Sequence, residues 1–303
     1  MKWYHDYLLE LTGGSTKGGG TAGGALEAVR LHRPKAIICT SVGAILALPV
    51  ALSMDKKYTH LRGDILYHTA NVNMKDMFPK WPALTAGGWP HPKAAIRAIT
   101  GKNSLGLQDT THYVKNFVSQ GDFDYYKATK ELPTIYVSVT NYQTGKLEYV
   151  NLKALNYEEA LLYIEASARM MVFAQPVIID GVAYYDGGTI DKSGSDLAKG
   201  ILELHNISNV VSIYHHEQEM PAAKQAVPTN IKQAAGRMLE IWMHYKDVND
   251  QKLMTNTCDD LGIKHHKIYI DNYMQSFYDT DKKRLLKMQV EAAKKMNNFI
   301  ETH

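Results

Sequence analysis

Short apolar runs alternate along the chain with longer segments whose apolar residues recur at helical spacing, so strands are expected to exchange with helices. Residues 7–11 read as the first strand, and residues 22–31 carry Ala25, Leu26, Ala28 and Val29 on one helical face. Residues 36–38 are a second apolar run. The helix expected over 42–52 contains Pro49, which should kink or shorten it, because proline lacks an N–H and collides with the preceding turn. A β-branched strand follows at 133–140, turn residues at 141–146 and a short strand at 147–150. Residues 157–170 are helical, with Ala160, Leu161, Ile164 and Ala168 together. Residues 177–185 form two short strands about Asp180-Gly181, a two-residue hairpin signal, and deliver Asp186-Gly187-Gly188 at the far end. Beyond them, helices at 196–205, 231–254 and 281–300 alternate with strands at 209–214 and 267–270, and Thr280-Asp281 offers a cap for the last helix.

This alternation implies one α/β domain over residues 1–303 with a mostly parallel central sheet. Residues 55–132 differ in character. Met74, Met77, Phe78, Trp81 and Trp89 mix there with prolines and Gly87-Gly88, as in helices joined by irregular loops. Such a helical insertion either packs its large side chains on the core or forms an apolar lid or acyl-chain groove over a site. Residues 230–303 complete the fold with helices.

Charge and cysteine content narrow the setting. A formal net charge of +3 without a dense Lys/Arg run is too weak to imply nucleic acid. Two cysteines, Cys39 and Cys258, cannot build a disulfide framework, which points to a reducing compartment. The first residues lack the apolar stretch of a signal peptide, and no run is long enough to span a bilayer. A cytoplasmic protein is expected, one that meets a membrane only at its surface.

Three segments carry the chemistry. Ile37-Ile38-Cys39-Thr40-Ser41-Val42-Gly43-Ala44 reads as a nucleophile elbow, a strand turning sharply into a helix with Ser41 at its tip. A helix N-cap is the plainer role for such a serine. Gly43 lets the helix close behind it. A serine hydroxyl is a weak nucleophile, so a base and oxyanion donors must be found elsewhere. Thr12-Gly13-Gly14-Ser15-Thr16-Lys17-Gly18-Gly19-Gly20 lies between the first strand and helix, where backbone N–H groups can approach an anion. It is no phosphate loop, since Lys17 precedes Gly18 rather than Ser or Thr, and the second strand lacks the acidic end of a dinucleotide site. An oxyanion loop fits better. Asp186 is the carboxylate to weigh as a base, because no turn accounts for it.

In order, Gly13-Gly14-Ser15-Thr16-Lys17-Gly18, Thr40-Ser41-Val42-Gly43-Ala44 and Asp186-Gly187-Gly188 resemble a patatin-like phospholipase. Residues 132–145 and 166–177 resemble the family's intervening segments. The resemblance implies a three-layer patatin-like fold and a lipid acyl hydrolase of phospholipase A or lysophospholipase type. Ser41 and Asp186 would form a Ser–Asp dyad, with Gly13, Gly14 and Ser15 lining the oxyanion hole. Lys17 would lie near a lipid phosphate or hold the loop, while Gly18, Gly43, Gly187 and Gly188 are motif glycines. An ordinary carboxylate is a poor base for serine, so partial burial of Asp186 must raise its basicity. A phospholipid or other acyl ester is the implied substrate, with transient membrane contact and neither cofactor nor metal.

The chain departs from the family at Cys39, where a glycine is usual, at Pro49, and at Lys192 and Gly194, where asparagine and proline are usual. Two other readings stand beside it. His215 or His216 could complete a Ser-His-Asp esterase, although a histidine pair in a polar stretch is expected to be solvated. Alternatively the fold could bind lipid without catalysis.

Overall fold

Side chains alternate across four neighbouring strands and divide the interior into two layers. The computed structural model describes residues 6–14, 16–72, 111–171, 174–189, 195–215, 231–271 and 280–303. The strands are β1 (Tyr7–Leu11), β2 (Ala36–Cys39), β3 (Thr134–Asn141), β4 (Lys146–Asn151), β5 (Val177–Ile179), β6 (Val182–Asp186), β7 (Asn209–Tyr214) and β8 (Lys264–Tyr269). Tyr7, Leu9, Leu11, Ile37, Cys39, Ile135, Val137, Val139, Val211 and Ile213 face one layer. Leu8, Ala36, Ile38, Tyr136 and Val210 face the other. A strand covered on both faces shows no polar alternation, which is why β2 reads as an unbroken apolar run.

The sheet runs β5-β6-β3-β2-β1-β7-β8, with β4 paired to β3 off this path. β3, β2, β1, β7 and β8 pair in parallel, whereas β4, β6 and β5 join antiparallel. The larger layer holds α2 (Ala22–Leu31), α3 (Val42–Leu52), α4 (Leu61–Ala70), α5 (Thr111–Phe117), α6 (Gln120–Ala128), α7 (Tyr157–Ser167) and α10 (Lys282–Thr302). The opposite layer holds α8 (Ser195–Leu204) and α9 (Ile231–Asp260). A mostly parallel sheet flanked by helices is the α/β architecture anticipated from the sequence.

Local chemistry fixes several boundaries. α7 opens on a capping box in which Asn156 Oδ1 accepts the Glu159 N–H and Glu159 Oε2 accepts the Asn156 N–H, both at 2.9 Å. Asp281, not Thr280, caps α10 by accepting the Arg284 N–H at 2.9 Å. Asp180 and Gly181 adopt φ of 50° and 79°, as a two-residue hairpin turn requires.

The structure also corrects the sequence reading. The glycine-rich segment is partly helix, since α1 (Thr16–Gly20) takes up its second half. Pro49 does not shorten α3, which continues to Leu52; the helix is buried from Gly43 onward, and packing outweighs propensity. α7 stops at Ser167, short of Met170. α9 extends to Asp260, and β8 begins at Lys264 because its ladder with β7 recruits a polar segment. α4, α5 and α6 lie within residues 55–132, while Met74, Met77, Phe78, Trp81 and Trp89 lie outside the described residues.

Candidate active site

The elbow has only two residues, Thr40 and Ser41, in which to reverse from β2 into α3. Ser41 takes φ 57° and ψ −124°, a region that costs a non-glycine residue about 1–3 kcal/mol. Ser41 is the N-cap residue of α3, yet its hydroxyl makes no capping bond to the helix. The turn is pinned to β1, where the Leu11 carbonyl accepts the Thr40 N–H at 3.1 Å. α3 approaches so closely that a β-carbon on Gly43 would stand 2.1 Å from the Leu11 oxygen. The N-terminus of this helix is directed at Ser41, where it favours developing negative charge.

β1 sends Gly13 and Gly14 to the same place. A β-carbon on Gly13 would lie 2.9 Å from Ser41 Cβ, so the loop backbone rests against the serine. Gly14 has φ +155° and faces the imidazole of His215. Ser15 lies outside the described residues. Lys17 is half-buried in α1, and Gly18 packs against Val42 with no room for a β-carbon.

Asp186 reaches the elbow through strand register. Cys39 pairs with Val137 and Asp186 pairs with Val139, both on β3. β4 occupies one edge of β3 from Tyr136 to Asn141, so β2 and β6 must share the other. Asp186 therefore stands where β2 would have continued, level with the position Ser41 would have taken in an unbroken strand. The carboxylate is 4% exposed, and its Oδ1 accepts the Gly188 N–H at 2.8 Å. Its carbonyl accepts from Thr140 Oγ1 at 2.9 Å.

Two further contacts tie the elbow to the hairpin. Ser138, between the paired residues of β3, shares a 2.6 Å hydrogen bond with Thr40 Oγ1. The same hydroxyl would lie 2.2 Å from a β-carbon on Gly187. On the other side, Ser167 Oγ accepts the Ser41 N–H at 2.9 Å, and the Arg169 carbonyl accepts the Asp186 N–H at 3.0 Å. Neither Ser138 nor Ser167 was singled out by sequence reasoning. A serine inside a strand and a serine ending a helix carry no local mark of what they touch.

His215 corrects one expectation. It is 1% exposed, not solvated, and its ring lies against Gly14 at the end of β7. His216 lies outside the described residues, as do Lys192 and Gly194. Cys39 is buried with its Sγ donating to the Tyr136 carbonyl at 3.4 Å, and burial pushes its thiol pKa up. Among the described residues no helix is long and apolar enough to cross a membrane.

The model of a family described as patatin-like phospholipase matches residues 9–198, more than half of the chain. The chain belongs to the patatin-like phospholipase family. The patatin-like match contains Gly13, Gly14, Ser41, Ser138, Ser167 and Asp186, whereas His215 lies beyond it. Among solved structures, VipD from Legionella pneumophila is similar over 99% of this chain and 67% of its own, with TM-score 0.50 and 12% identity. At that identity the likeness speaks for the fold. ExoU, in its complex with SpcU from the type III secretion system of Pseudomonas aeruginosa, matches over 99% of this chain and 52% of its own, with TM-score 0.36 and 13% identity. The patatin-like chain thus spans about two thirds of the first and half of the second. None of the curated proteins matches it in sequence.

Proposed function

We propose that the protein is a lipid acyl hydrolase in which Ser41 is the nucleophile and Asp186 the base. The alignment of Asp186 with the continuation of β2 carries this reading, because it brings a buried carboxylate level with the elbow that presents Ser41.

In the reaction, Ser41 Oγ attacks the ester carbonyl of an acyl lipid and its proton passes to Asp186. The oxyanion is held by N–H groups of the Gly13–Ser15 loop and favoured by the α3 N-terminus. Collapse breaks the bond to the alcohol, which leaves with the proton from Asp186, and the acyl group remains on Ser41. Water then attacks the acyl-enzyme and gives its proton to Asp186, and the fatty acid is released as Asp186 passes that proton back to Ser41 Oγ. Lys17, on the first helix after the loop, is suited to a lipid phosphate. Phospholipids and other acyl esters are the substrate class, met in transient contact with a membrane surface.

The triad alternative is less well served. β1 and its glycine loop separate β7, which leads to His215, from β2, which leads to Ser41. The Gly14 contact favours a packing role for the imidazole.

The test is hydrolysis of a mixed phospholipid extract with lipid products profiled, Ser41→Ala serving as the blank. Fatty acid release by the native chain and none by Ser41→Ala is expected. Equal product from both would reject Ser41 as the nucleophile, and none from either would reject the hydrolase and leave the lipid-binding alternative.

A further inference from the structure

We propose that Ser167 is a positioning residue for Ser41, and that the turn leaving α7 sets the separation of the two candidate catalytic groups. This rests on the dyad reading above. Ser167 is fully buried and cannot touch a substrate, yet its Oγ takes the N–H of Ser41 at 2.9 Å. Two residues later the Arg169 carbonyl takes the N–H of Asp186 at 3.0 Å. Nucleophile and base are thus hung by their own amides from one short stretch of chain. That stretch is stiffened by its own bonds: the Ala168 N–H donates to Glu165 O and the Arg169 N–H to Ala166 O, each at 3.0 Å. The Arg169 guanidinium also pairs with the Glu165 carboxylate one turn back.

The strained elbow gives this contact its consequence. A serine at φ 57° persists only where its surroundings over-determine it. The bond to Ser167 is one such restraint, and it acts on the amide of the nucleophile itself. It also commits that amide, so the Ser41 N–H does not serve as an oxyanion donor. Without the Ser167 hydroxyl, Ser41 is free to relax toward ordinary φ, and Oγ shifts against both Asp186 and Gly13.

Thr and Val at position 167 have the same shape and differ in the hydroxyl, so that pair isolates the hydrogen bond from packing. Kinetics on a soluble short-chain fluorogenic ester, and the rate at which a fluorophosphonate labels Ser41, are compared in the full chain. Ser167→Val should lower kcat and the labelling rate by about 10²-fold with KM changed less than about twofold, the signature of misplaced reacting atoms. Ser167→Thr should recover most of the loss. Equal kcat and equal labelling in the two variants overturns the proposal, whatever each does to stability. A native chain that neither hydrolyses the ester nor labels at Ser41 rejects the dyad reading and this inference with it; an active native chain indifferent to residue 167 rejects the inference alone.

Discussion

The imidazole of His215 fills the space in which a β-carbon on Gly14 would stand, with Cε1 and Nε2 each 2.1 Å from that point. The ring buttresses the glycine loop from the side of β7, while Ser41 meets the loop at Gly13 from the side of β2. His215 is thereby fixed against the Gly13–Gly14 loop.

Gly14→Ala should therefore fail for two reasons, a backbone conformation at φ +155° that side chains resist and a collision with the ring. Loss of kcat by about 10²–10³-fold is expected, the scale of losing an oxyanion donor. Adding His215→Ala should restore part of it by removing the collision. A double variant no better than Gly14→Ala would show that backbone conformation alone is decisive.

His215→Asn separates packing from proton transfer. If the imidazole only supports Gly14, ester hydrolysis should fall less than about tenfold; loss of a triad's histidine base would cost about 10⁶-fold. Steady-state kinetics at saturating ester decides between the two.

Gly43→Ala should destabilise the fold. Its β-carbon would press on the Leu11 carbonyl oxygen, a backbone atom that cannot swing aside. A cost of about 1–3 kcal/mol is expected from overpacking, read as a lower urea midpoint with an unchanged slope. An unaltered midpoint would mean that α3 can move away from β1.

Acid should weaken the fold partly through His265. Burial, helped by the charges of Lys267 and His266, lowers its pKa from 6.5 to about 3. Its ring nitrogens lie 2.9 Å from Ser212 Oγ and 3.1 Å from Thr255 Oγ1. As pH falls below 6.5 the unfolded chain binds a proton that the folded chain refuses until about 3. Stability should then decline across that window by up to about 1.4 kcal/mol per pH unit from this residue. His265→Asn should flatten the decline in urea unfolding between about pH 6 and pH 4. Parallel pH curves for the two proteins would reject the assignment.

The sequence by itself determined the strands and helices whose periodicity is strong, β1, α2, β7 and the β5–β6 hairpin among them. It also pointed to Ser41, the Gly13–Gly14 loop and Asp186 as candidates, because a serine between a strand and a helix, a glycine run after a strand and an aspartate left over from a hairpin are local patterns. Only the tertiary structure decided what joins them. Register on β3 brings Asp186 level with the elbow, Ser138 links Thr40 to the edge of Gly187, and the end of α7 holds both amides. His215 was misjudged for the same reason. Its neighbours in sequence are polar, but its neighbour in space is Gly14, about two hundred residues earlier along the chain. Periodicity reports which face a residue turns to the core; it carries no record of which distant backbone arrives there.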